Sequence, residues 1–164
     1  MAVQNLNIAD IIVTLGDYLK SNQNIKDFCV DNFEKEVSVQ LGEVLDKEEP
    51  TSDDCPYIII LSGSKEEGTA LTTCTYRMVI AAGVATEPFS KVETDAGSII
   101  HTGYDLINNF LTLIQKELNK RRLASNVTVN IIGSMNADGS HWAGTMEVLY
   151  QIDQVLGISI MQEV

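Results

Sequence analysis

From residue 141 to 153 the chain sets Trp142, Gly144, Met146, Val148, Tyr150 and Ile152 at alternate positions, with His141, Thr145, Glu147, Gln151 and Asp153 between them. Such period-two alternation is the pattern of a strand that lays one face on a core. A second long segment repeats it. Cys74, Tyr76, Met78, Ile80 and Ala82 share one face, and Thr73, Thr75 and Arg77 the other. Two strands this long organise any fold built around them, and the remaining elements are read against them.

Three shorter segments also read as strands. Over 36–45, Val37, Val39 and Leu41 alternate with Glu36, Ser38 and Gln40, which predicts a half-buried strand. The run Tyr57, Ile58, Ile59, Ile60, Leu61 predicts a strand buried on both faces. Val127, Val129 and Ile131 alternate with Thr128 and Asn130. Between these lie an acidic loop at 46–54, a hairpin loop at 62–68, a loop at 86–97 containing Pro88 and Gly97, and a turn at 134–140 built around Asp138-Gly139.

Two helices complete the pattern. Asn7 suits an N-cap, Asp10 falls in the first turn, and Ile8, Ile11, Ile12, Leu15, Tyr18 and Leu19 follow at helical spacing. A second helix is predicted over 98–123, where Ile100, Tyr104, Ile107, Leu111, Ile114 and Leu118 step by threes and fours. The expected architecture is one α+β domain over 1–164: helix, three strands, helix, two strands, a mostly antiparallel sheet with helices on one face. The terminal stretch 155–161 stays apolar, which predicts docking on this subunit's own sheet or on a neighbour, since termini fray unless tied down.

Composition narrows the function. With 164 residues, 45% of them hydrophobic, the chain can bury a core without disulfides or metals. A net charge of −12, from 11 basic against 23 acidic residues, disfavours specific nucleic-acid binding and binding to anionic membranes, because both depend on clustered Lys and Arg. No apolar run approaches the ~18 residues that span a bilayer, and the opening Met1-Ala2-Val3-Gln4-Asn5 lacks a secretory pattern, so a cytoplasmic protein is expected. Cys29, Cys55 and Cys74 are odd in number and far apart, and His101 and His141 are remote from them, which predicts reduced thiols and no zinc.

Local motifs for chemistry are weak. Gly63-Ser64-Lys65-Glu66-Glu67-Gly68 resembles a phosphate loop but carries two carboxylates, lacks the Gly-Lys-Ser/Thr ending and leads into a strand. Glu48, Glu49, Asp53 and Asp54 fit no calcium loop, although weak divalent binding stays open. Cys74, Ser140 and His141 sit in no nucleophile motif, and Trp142 reads as a core anchor. No catalytic residue, cofactor or metal ligand is therefore assigned. Lys116, Lys120, Arg121 and Arg122 complement a helix C-terminus, or alternatively contact an acidic neighbour such as another copy of the chain. Long strands with exposed edges and hairpin tips favour oligomerisation, since edges are a liability unless covered or paired.

The element order, from the Asn7 helix through the Ile100–Leu118 stripe to the 141–153 strand, resembles the tail terminator family of long-tailed phages and related tail-like particles. The resemblance covers nearly the whole chain and rests on order and character rather than on a motif. It implies a structural, non-enzymatic subunit that forms a ring, typically a hexamer. Such a ring caps the tail tube and meets a head-completion or neck protein, assembling in the host bacterial cytoplasm before joining the virion. Interface roles are then expected for Met135, Asn136, Asp138 and His141 at one hairpin tip, for Lys65, Glu66 and Glu67 at another, and for Lys120, Arg121 and Arg122. The negative charge would give a lumen along which DNA slides without sticking. Another head–tail joining protein, a small-molecule binder and an enzyme of another type are the alternatives.

Overall fold

The computed structural model describes residues 7–42, 49–68, 73–121 and 123–153. The expected features at Asp46, Lys47 and Glu48, at Arg122 and in the stretch 155–161 lie outside the described residues.

Helix α1 runs Ile8–Ser21, capped as expected: the Asn7 side chain accepts the Ala9 N–H at 3.0 Å. It buries Ile12, Leu15 and Leu19. The chain breaks at Asn22, whose side chain accepts the Ile25 N–H at 3.1 Å and starts a helix that the sequence reading did not foresee, α2 at Gln23–Phe33. Only Ile25 and Cys29 of α2 are buried. Helix α3 runs Thr102–Lys120 and buries Ile107, Phe110, Leu111, Ile114 and Leu118. Phe28 of α2 stacks on Phe110 with ring centroids 5.3 Å apart, which ties α2 to α3.

The strands are β1 (Ser38–Leu41), β2 (Tyr57–Glu66), β3 (Thr73–Ala85), β4 (Lys91–Glu93), β5 (Ile99–His101), β6 (Asn126–Ser134) and β7 (His141–Asp153). Five of them form one sheet in the order β1-β2-β3-β7-β6, parallel only between β1 and β2. The α+β class and the mostly antiparallel sheet follow the sequence reading. The two long alternating segments, β3 and β7, pair with each other from Thr73↔Asp153 to Ala85↔His141 at the sheet's centre. Ile58, Ile60, Met78, Ile80, Ala82, Met146 and Val148 face the helices and close the core.

Four boundaries differ from the reading, each for a physical reason. The run 57–61 is buried on both faces only at its start, where Tyr57 is 4% exposed: Ile58 and Ile60 are in the core, while Ile59 and Leu61, on the face of Tyr57, are half-buried. Residues 62–66 are strand rather than loop, because a bulge between Ser62 and Ser64 lets pairing with β3 continue to Glu66↔Thr75. Of the expected strand over 36–45, Ser38–Leu41 pair with β2 and Glu36 and Val37 lie before the strand, while 43–45 lie outside the described residues. Helix α3 begins at Thr102 and ends at Lys120, inside the 98–123 expected. Ile100 keeps helical spacing to Tyr104 yet lies in β5, and both are exposed, at 38% and 48%.

The segment read as a loop at 86–97 is instead half of a β-ribbon. Strands β4 and β5 pair antiparallel in a separate two-stranded sheet, with Val92 opposite Ile100.

Candidate assembly surface

The ribbon is the most unusual surface of the molecule. All six residues of β4 and β5 are exposed. Phe89, Val92 and Ile99 are 73%, 60% and 59% accessible, and Ile100 and Tyr104 continue the apolar surface at its base. An isolated two-stranded hairpin is marginal in water, but this one is fixed at both ends. At the tip the Thr94 N–H donates to the Ser98 carbonyl at 2.7 Å, and the Thr94 hydroxyl accepts the Ser98 N–H at 3.1 Å. At the base the Thr102 N–H donates to the Ser90 carbonyl at 3.1 Å, and the two side-chain hydroxyls lie 2.7 Å apart. The ribbon is thus an arm, held to the body at its root and presenting apolar side chains to solvent.

The arm's root joins the β6–β7 turn. The Phe89 N–H donates to the Asp138 carbonyl at 2.7 Å and the Thr86 N–H to the Ser140 carbonyl at 2.9 Å. Trp142 fastens the junction: its ring N–H donates to the Gly139 carbonyl at 2.8 Å, and its ring meets those of His101 and Tyr104. The ring passes so close to the first turn of α3 that any Cβ at Gly103 would overlap it. Trp142 is therefore a half-buried joint between arm, helix and hairpin rather than an anchor in the middle of the core.

The expected contact residues separate into two groups at opposite ends of the sheet, as the β3–β7 register requires. Beside the arm lie Met135, Asn136, Asp138 and His141. Met135 is 44% exposed and available to a partner. Asn136 and Asp138 build the turn itself. The Asn136 side chain accepts the His141 N–H at 3.0 Å, and Asp138 accepts the N–H and hydroxyl of Ser140 at 2.9 and 2.7 Å, bonds that hold its carboxyl below the usual range. His141 is no exposed tip residue. It is buried under Tyr57, with the Tyr57 hydroxyl and its Nε2 3.2 Å apart, and burial lowers its pKa. Alternation assigns a side chain to a face; it does not tell that the ring of Tyr57, from another strand, covers His141 there.

At the far end, Lys65 bridges Glu67 at 3.0 Å and lies over the Tyr76 ring, and the Tyr76 hydroxyl donates to Glu67. That hydrogen bond is the leading cause of the lowered Glu67 pKa. Glu66 is exposed at the end of β2. Lys120 and Arg121 are engaged within the chain, Lys120 with Glu117 at 2.6 Å and Arg121 over the Tyr18 ring. Glu117, unmarked in the sequence reading, is a buried carboxylate that also accepts from Asn22 and Asn24, each at 2.9 Å. Hydrogen bonds from Lys120 and Asn22 bring its pKa to about 2. The helix C-terminus therefore forms a clamp on the α1–α2 joint.

A cleft of about 390 Å³ at the arm's root is lined by Phe33, Lys35, Cys55, Thr86, Ser90 and Leu106 among others. Burial pushes the Cys55 thiol up to about 12, so at neutral pH it is protonated and not a nucleophile. Among the described residues, no helix is long and apolar enough to cross a membrane. The fold and its exposed surfaces define a single α+β domain with an apolar β-arm. Against protein-family models and curated protein sequences, the chain matches none.

Proposed function

We propose that this chain is a structural assembly subunit, a ring-forming tail terminator that caps a tail tube and joins it to a head-completion or neck protein. The observation that carries this reading is the arm: six exposed strand residues, fixed at root and tip, with Phe89, Val92 and Ile99 offered to solvent. Exposed apolar side chains gathered on one projecting element, Val92 and Ile100 on one face of the ribbon and Ile99 on the other, fit a contact site. The element order supports the particular class, since a helix, a mostly antiparallel sheet and a second long helix before the last strands are kept in the structure.

The test is the mass in solution by light scattering behind size exclusion, over a concentration series and with purified tail tube added. A ring-sized species, alone or on the tube, is expected. A strict monomer under every condition, with no association with the tube, would overturn the proposal.

A further inference from the structure

The sheet has two edges, and they are treated differently. Strand β1 is a short edge, with four residues, and α1 packs against it so closely that Leu41 fills the space beside Gly16. Strand β6 is a nine-residue edge with β7 on one side and no described strand on the other. Proteins blunt such edges with Lys, Pro, inward charges or a covering element. Between Asn126 and Ser134, β6 has no charged residue and no proline. Its cover is slight: the Gln115 side chain reaches the Val127 carbonyl at 3.4 Å, near the start of the strand. Toward its other end a bulge between Ile131 and Gly133 turns Ile132 outward, where it is 60% exposed.

Charge selects the occupant. Copies of a chain carrying −12 repel one another, so a contact between copies must use surfaces from which the acidic excess is missing. The β6 edge is one such surface. The paired strands of the arm are the other, since Lys91 and Glu93 offset each other and the remaining strand residues are Val92, Ile99, Ile100 and His101. Within one chain the arm and β6 belong to separate sheets, so among the described residues each has an unfilled strand position.

We propose that the β4–β5 arm of one copy lies along the open β6 edge of the next, extending its sheet across the subunit boundary. Main-chain hydrogen bonds supply the pairing, and Val92 packs beside Ile132. The contact joins two different surfaces, so it is head-to-tail, and repetition closes a ring when the rotation allows. This inference rests on the assembly reading above and names the surfaces by which a second copy is held.

The experiment uses the full chain with single cysteines introduced by Val92→Cys and by Ile132→Cys; the native Cys29, Cys55 and Cys74 are buried and do not compete. Under mild oxidation, an equimolar mixture of the two variants is expected to give at least several-fold more cross-linked dimer than either variant alone. Val92→Asp is expected to raise the concentration needed for assembly at least tenfold while leaving the thermal midpoint of the monomer in place. Cross-linking of Ile132→Cys with itself as efficiently as in the mixture would show edge meeting edge and overturn the arm-to-edge contact. Assembly of the wild type with no cross-link in the mixture, or with Val92→Asp assembling normally, would overturn it too and leave the assembly reading standing. A wild type monomeric under every condition would overturn both.

Discussion

Glu117 sits at a position that the spacing of its helix assigns to the core, with Ile114 and Leu118 as buried neighbours. A charge is tolerated there because every partner donates to it: Tyr18, Asn22, Asn24 and Lys120. Replacing it by Gln would turn an amide N–H₂ toward donors, so Glu117→Gln is expected to cost about 1–3 kcal/mol at neutral pH, the scale for a buried hydrogen-bonded charge left unmatched. The pH dependence follows from the direction of the shift. The folded pKa is about 2 against an ordinary 4.5, so the unfolded chain takes up the proton first as pH falls. The stabilisation is complete above about pH 4.5 and is lost as pH drops toward 2. Urea midpoints of wild type and Glu117→Gln should therefore converge between pH 7 and pH 2.5; a constant gap would show that the carboxylate's charge is not what holds the clamp. Tyr57 and Gly83 make a second such pair. The ring lies on the glycine and leaves no space for a Cβ, so Gly83→Ala must displace a buried tyrosine and should cost about 1–3 kcal/mol in the same assay, with the loss of the contact between Tyr57 and His141.

On the assembly reading, the arm separates contributions to folding from contributions to assembly. Its strand side chains are exposed, and substitutions at such positions usually change stability by less than about 0.5 kcal/mol. Ile99→Lys should therefore leave the urea midpoint of the monomer unchanged, whereas Phe110→Ala, which removes the partner of Phe28 from the core, should cost about 3–5 kcal/mol. If Ile99→Lys destabilises the monomer comparably, the arm is part of the core's support and not a free contact element. The contrast also explains what the sequence made legible. Alternation in β3 and β7 and the step of threes and fours in α3 come from burial on one face, and burial leaves a pattern. The helix α2 buries two residues, and the arm's strands bury none, so neither is periodic enough to stand out. Ile100 added a false signal by falling four residues before Tyr104. What did mark the arm was Lys91-Val92-Glu93 and Ile99-Ile100-His101 on either side of Asp95-Ala96-Gly97, with Gly97 at φ 84° where a glycine is suited to the turn. Beside the arm, Asp138-Gly139 located the turn with Met135 correctly, but the burial of His141 depends on Tyr57, distant in sequence, and no local pattern reports it.

On the assembly reading, the net charge of −12 governs how copies of this protein would meet. Two kinds of contact between them respond oppositely to salt. If subunits joined through ion pairs between Lys65 or Lys120 and the acidic residues of a neighbour, screening would weaken assembly. Both lysines already have carboxylate partners inside their own chain, at 3.0 and 2.6 Å, so a neighbour would have to compete with Glu67 or Glu117 for them. The β6 edge carries no charge and the arm's Lys91 and Glu93 offset each other, so the general repulsion between like-charged bodies is the main term that salt changes. The screening length falls from about 10 Å at 0.1 M to about 3 Å at 1 M, and burial of apolar surface is not weakened by that change. Raising sodium chloride through this range should therefore strengthen self-association, seen in sedimentation equilibrium as a rising association constant with an unchanged monomer fold by circular dichroism. A constant that falls with salt would instead place the contact at the charged end of the sheet, on Lys65, Glu66, Glu67 and the α3 terminus, and would direct mutagenesis away from the arm.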